Sequence, residues 1–124
     1  MKMQESPEDY LETIYMLSLE QETVRSIDVA RHLGFSKPSV SVAMKRLREN
    51  GYVNMDDSNH LTLTETGKEI AVKVYERHNV LSGYLRSVGV SADTAAKDAC
   101  RIEHVLSEES FQVLKNLYLQ SLEK

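Results

Sequence analysis

Cys100, Glu103 and His104 stand at i, i+3 and i+4, and Cys100 is the single cysteine of the chain. At about 100° per residue on a helix, Glu103 and His104 fall roughly 60° and 40° to either side of Cys100, so the three share one narrow face. A thiolate, a carboxylate and an imidazole on one face are donors for a divalent cation. Two further carboxylates, Asp9 and Glu12, open the chain, and His78 stands alone midway along a long helical stretch. Each residue also has a plainer reading. Asp9 and Glu12 suit the positive end of a first helix. His78 on an apolar stripe suits a hydrogen-bonded core position. Cys100 beside Ala99 suits a small buried hydrophobe, and Glu103 and His104 suit a surface.

The elements that must carry these groups show in caps and periodicity. Ser6 as cap, Pro7 at the first helical position and Glu8 and Asp9 in the first turn predict a helix start, with Tyr10, Ile14 and Leu17 as its apolar stripe. A short second helix fits Ile27 to Leu33, stopped by Gly34. A third begins after Ser36, with Pro38 in its first turn, and ends at Asn50-Gly51. Two such helices around Gly34-Phe35-Ser36 make a helix-turn-helix. Tyr52 to Met55 and Leu61 to Leu63 are β-prone runs flanking the turn-rich Asp56 to His60, a hairpin that reads as a wing. A long helix runs from about Glu65 to Ser87, with Ile70, Val74, Leu81 and Leu85 on one stripe and His78 in register. A fifth helix starts after Ser91 and uses Ala95, Ala99, Ile102 and Leu106. A sixth starts after Ser107, with Phe111, Leu114, Tyr118 and Leu122 facing inward. The expected architecture is mainly α: an N-terminal winged helix-turn-helix over residues 1–64, then an all-helical domain over 65–124.

With 124 residues and 41% hydrophobic content, the chain has room for one domain or two small ones sharing a helix. No segment approaches the roughly eighteen apolar residues of a membrane helix. The polar start, Met1 to Glu5, does not read as a signal peptide, so a cytoplasmic protein without membrane partners is expected. A lone cysteine cannot form an internal disulfide and is left available as a thiolate.

The net charge of −4 argues against nucleic acid only until its distribution is considered. Between Arg25 and Asn50 six basic residues face two acidic ones, so that segment is +4 and the remainder −8. In the third helix Lys37, Ser39, Ser41, Val42, Lys45 and Arg46 are candidates to face DNA, while Val40, Ala43, Met44 and Leu47 supply the packing side. Arg25 and Ser36 join the DNA-facing set. Ser hydroxyls can meet base edges in the major groove and Pro38 can touch a thymine methyl. Lys45, Arg46 and Arg48 suit phosphates, which give affinity but little sequence reading. A basic solvated helix, or a winged helix used for protein contacts, is the competing reading. An enzyme is not expected: the donor positions leave no spare general base, and no motif supplies a substrate cleft.

Five stretches carry a resemblance: Glu8 to Tyr15 (EDYLETIY), Ser39-Val40-Ser41, Leu61 to Gly67 (LTLTETG), Arg77-His78, and Asp98 to Ser107 (DACRIEHVLS). Together they resemble the winged-helix metalloregulators of the diphtheria toxin repressor type, which include the manganese transport regulators. The resemblance covers almost the whole sequence and implies that the second domain binds metal and dimerises. It nominates Asp9, Glu12, His78, Cys100, Glu103 and His104 as metal ligands, drawn from the first helix, the long helix and the helix after it. The set is mixed. Manganese-type members are similar at Asp9 and Glu12 but place a glutamate where Cys100 stands; iron-type members share the cysteine and place a methionine where Asp9 stands. Oxygen donors suit Mn²⁺, whereas a thiolate draws selectivity toward Fe²⁺, Co²⁺ or Zn²⁺. Mn²⁺ or Fe²⁺ is the expected cofactor, with Zn²⁺ or Co²⁺ able to bind in vitro. The iron-type ancillary site uses a glutamate and a second histidine where this chain has Ser82 and Ala96, so that site is expected to be missing. The C-terminal β-barrel of longer members is likewise expected to be absent, since the sequence stops at Lys124. The implied function is a metal-activated repressor acting as a homodimer on palindromic double-stranded operator DNA. A winged-helix regulator that answers to an organic ligand, or to none, is the alternative.

Overall fold

A computed structural model describes residues 7–123. Among these, six helices and one hairpin follow in the order α1 (Pro7–Glu20), α2 (Ser26–Leu33), α3 (Lys37–Glu49), β1 (Val53–Met55), β2 (Leu61–Leu63), α4 (Glu65–Ser87), α5 (Ala92–Ile102) and α6 (Glu108–Leu122). The chain is mainly α, with a winged helix-turn-helix followed by an all-helical part. The expected cap Ser6 lies outside the described residues. The chain divides into two compact units between Lys73 and Val74, inside α4.

In the first unit the helices start where their caps dictate. Ser36 accepts from the Ser39 N–H at 3.3 Å, and the Arg25 N–H donates to Asp28 at 2.9 Å. Gly34 ends α2 in the left-handed region, φ 74°, which glycine enters without strain. β1 and β2 pair antiparallel, Val53 opposite Leu63 and Met55 opposite Leu61, and the Leu61 N–H also donates to the Val24 carbonyl at 2.7 Å. The wing turn is closed by Asp56, whose carboxylate accepts from the Ser58 and His60 N–H groups at 2.9 and 2.8 Å. Tyr10, Leu11 and Ile14 of α1, Val29 of α2, Val40, Met44 and Leu47 of α3 and Val53 and Leu61 of the hairpin form the core. Ala71, fully buried, and Ile70 also belong to it, which is why the first two turns of α4 go with this unit. Thr64 caps α4, accepting from the Gly67 N–H at 3.1 Å while donating to the Gly51 carbonyl at 2.7 Å. A Cβ on Gly67 would collide with the backbone carbonyl of Tyr52, so only glycine lets the helix approach the hairpin this closely.

The second unit comprises the rest of α4, α5 and α6. Ser91 and Ser107 cap the last two helices through the N–H groups of Thr94 and Ser110. Val74, Val80 and Leu81 of α4, Ala95 and Ala99 of α5 and Phe111 of α6 are buried. Leu114 and Tyr118 are half-buried, but Leu122, expected to face inward, is 61% exposed; the inward stripe of α6 runs out before its last turn. Gly83 of α4 sits where a Cβ would overlap the Tyr118 ring of α6, so this glycine marks a close helix crossing.

Candidate metal centre and nucleic-acid face

His78 projects from α4, and Cys100 from the last turn of α5. Donor atoms of His78, Cys100 and Glu103 all lie within 4.8 Å of one another. The expectation that Cys100, Glu103 and His104 ride one helical face holds only as far as Glu103: α5 ends at Ile102, Glu103 is its cap in helical conformation (φ −58°, ψ −23°) with its N–H on the Ala99 carbonyl, and His104 and Val105 form a turn. Val105 and Leu106 both donate to the Ile102 carbonyl, at 3.0 and 3.1 Å, closing one last turn that leads into the Ser107 cap.

Burial inverts the plainer readings of Cys100 and Glu103. Cys100 is exposed, while Glu103 is 1% exposed. His78 Nδ1 lies 2.9 Å from Glu103 Oε1, and His104 Nε2 lies 3.7 Å from Glu103 Oε2. Glu103 Oε2 is buried and meets no hydrogen-bond partner among the described residues. A buried carboxylate oxygen without a partner costs about 1–3 kcal/mol or more, and a cation among these donors would satisfy it. Asp9 and Glu12 lie three residues apart on α1 of the first unit, and both are buried.

Arg77 is the residue that sequence reasoning passed over except as part of a motif. It is 8% exposed and bonds the carbonyl oxygens of Glu103 and Leu106, the Glu108 carboxylate and the face of Phe111. The signal was present: Arg77 stands three residues after Val74 and four before Leu81, a cation on an apolar stripe.

On the winged helix every nominated DNA-facing residue is exposed: Arg25, Ser36, Lys37, Pro38, Ser39, Ser41, Val42, Lys45 and Arg46. Val40, Met44 and Leu47 are buried and Ala43 is half-buried, so α3 divides into the two faces expected of it. The Ser36 and Ser39 hydroxyls bond one another at 2.9 Å, which leaves Ser41 the freer of the recognition serines. Val42, 54% exposed, offers an apolar surface among the basic groups. At the wing, His60 approaches Arg25 Nη2 at 3.4 Å through Nε2 and Asp56 at 3.2 Å through Nδ1, a second contact that sequence reasoning missed. The backbone N–H of His60 holds the Asp56 carboxyl below its ordinary range, with the Ser58 N–H and the imidazole adding to it and slight burial opposing.

A winged helix presenting a basic, solvent-facing recognition helix, on one chain with a soft and hard donor cluster, defines a metal-dependent DNA-binding regulator rather than an enzyme. The chain belongs to the iron-dependent repressor family: residues 2–61 match the family model of its N-terminal DNA-binding domain, and residues 64–121 that of its metal-binding and dimerisation domain. An uncharacterised helix-turn-helix transcriptional regulator of Methanocaldococcus jannaschii is 36% identical over 115 residues, 91% of this chain and 92% of that one. The transcriptional regulator MntR of Bacillus subtilis is 35% identical over 112 residues, 90% of this chain and 79% of that one. The solved structure of the manganese regulator SloR superposes with a TM-score of 0.81 at 28% identity, covering 90% of this chain and 53% of that one. This chain thus spans about half the length of SloR. Among the described residues no helix is long and apolar enough to cross a membrane.

Proposed function

We propose that this chain is a cytoplasmic, metal-activated repressor of metal-uptake genes, responding to Mn²⁺ or Fe²⁺. The observation that carries the reading is the cluster of His78, Cys100 and Glu103, whose buried carboxylate oxygen meets no hydrogen-bond partner among the described residues. His78, Cys100, Glu103 and His104 would hold the ion, joined by Asp9 and Glu12 as the family resemblance implies. When bound, a divalent cation supplies the positive charge that this acidic donor set lacks.

The rest of the work falls to the chain's own residues. His78 orients the Glu103 carboxylate through the 2.9 Å contact. Arg77 fixes the main chain of the donor turn. On the winged helix, α3 enters the major groove, where Ser39 and Ser41 meet base edges and Pro38 and Val42 touch thymine methyls. Arg25, Lys37, Lys45 and Arg46 neutralise phosphates, and Ser36 caps the recognition helix. Val113, Leu117 and Leu119, exposed on α6, support a homodimer. A symmetric dimer reads a palindrome whose half-sites lie about one turn of DNA apart, roughly 34 Å, or a multiple of it.

A ligand that favours the DNA-competent arrangement raises DNA affinity by the factor by which DNA raises its own. Anaerobic operator-binding assays with and without metal test this directly. Tighter binding with Mn²⁺ or Fe²⁺ is expected; unchanged affinity at saturation with both ions would end the proposal.

A further inference from the structure

Helix α5 stops before its donors do: the N–H groups of Glu103, Val105 and Leu106 still bond back to Ala99 and Ile102, but the carbonyls of Glu103 and Leu106 lie past the helical ladder. Such a closing turn frays unless its carbonyls are tied elsewhere. Arg77 supplies the tie. Its Nη1 donates to the carbonyl oxygens of Glu103 at 3.2 Å and Leu106 at 2.6 Å, and its Nη2 pairs with Glu108 Oε1 at 3.0 Å. Its guanidinium carbon lies 5.1 Å from the Phe111 ring centroid, so the fork also reaches the first turn of α6.

Two consecutive residues of α4 therefore grip Glu103 at opposite ends, Arg77 its carbonyl and His78 its carboxylate. A buried cation is a costly way to hold a turn for stability alone. What the planar fork adds is direction, because several donors at fixed angles set the main chain in one place. We propose that Arg77 is a positioning residue for the metal donors: it locks the turn from Glu103 to Leu106 so that the Glu103 carboxylate faces His78, and it joins that turn to α6. This rests on reading His78, Cys100, Glu103 and His104 as a metal site.

The test compares the wild-type chain with Arg77→Lys, which keeps the charge and loses the fork, and Glu108→Gln, which keeps both carbonyl bonds. Equilibrium dialysis measures Mn²⁺ affinity, and amide hydrogen exchange is followed on the metal-free proteins. For Arg77→Lys, Mn²⁺ affinity falls about ten- to a hundredfold, as for other groups that orient metal ligands. Amides of residues 104–107 exchange faster while those of α5 keep wild-type protection. Glu108→Gln changes affinity by less than about threefold, in keeping with its exposed carboxylate. Arg77→Lys that binds Mn²⁺ as the wild type does, or that loosens α5 as much as the turn, overturns the proposal. If the wild-type chain binds no Mn²⁺, the metal-site reading fails instead, and exchange at residues 104–107 still decides whether Arg77 holds the turn.

Discussion

Replacing Glu103 by Gln separates two roles of one side chain, because the amide keeps the shape and removes the charge. Glu103 is 1% exposed, with Oε1 2.9 Å from His78 Nδ1 and Oε2 lacking a hydrogen-bond partner among the described residues. Without metal, the exchange gives up a charge-assisted bond for a neutral one, about 1 kcal/mol, and relieves a similar part of the cost of the unsatisfied ionised oxygen. These nearly cancel, so the metal-free melting temperature moves by less than about 4 °C, at about 4 °C per kcal/mol for a chain of this size. With metal they do not cancel, because the variant has lost an anionic donor. A hundredfold weaker affinity, about 2.7 kcal/mol, is the expected scale. At Mn²⁺ a hundred times the wild-type Kd, the wild type gains about 2.7 kcal/mol and melts about 11 °C higher; the variant gains about 0.4 kcal/mol, about 2 °C. Scanning calorimetry with and without Mn²⁺ reads both quantities. A variant that keeps the wild-type metal shift refutes Glu103 as a donor, and one that melts far lower without metal refutes the cancellation.

Cys100→Glu should move the ranking of ions toward Mn²⁺ and Asp9→Met toward Fe²⁺, read by competition dialysis under anaerobic conditions; unchanged rankings for both would remove these residues from the site. Lys45→Ala and Arg46→Ala should each weaken operator and nonspecific DNA binding alike and lower the slope of log affinity against log salt by about one, whereas a loss confined to operator DNA would assign them to bases instead. Asp56 titrates below its ordinary range in the folded wing, so its contribution is present above the usual carboxylate pKa and is lost as pH falls through the lower folded value. NMR titration should show the Ser58 and His60 amides shifting in that acid range, and Asp56→Asn should abolish the shift.

Periodicity and caps exposed most of the fold because both act within a few residues. Ser36, Ser91 and Ser107 begin α3, α5 and α6 as their spacing requires, since each hydroxyl serves an N–H three residues on. The packing and solvent faces of α3 were equally legible, because 3.6-residue periodicity sorts them without knowledge of the partner. The donor set was legible as residue types and spacing, but its local geometry was not. Periodicity extended α5 through Leu106, whereas the chain leaves the helix at Ile102. The Ser107 cap limits locally how far α5 can run, but what takes the carbonyls of Glu103 and Leu106 is an arginine 26 and 29 residues earlier, which no local pattern reveals.

By itself the sequence determined the element order, the exposed polar face of α3 and the chemical types of the candidate donors, all written in short-range patterns of polarity, caps and spacing. The tertiary structure alone decided which donors are buried and what holds them. It exposes Cys100, encloses Glu103, and places Arg77 and His78 at the two ends of that glutamate. Burial and long-range hydrogen bonding depend on how α4 packs against the turn between α5 and α6, and that packing is a property of the folded unit rather than of any window of residues.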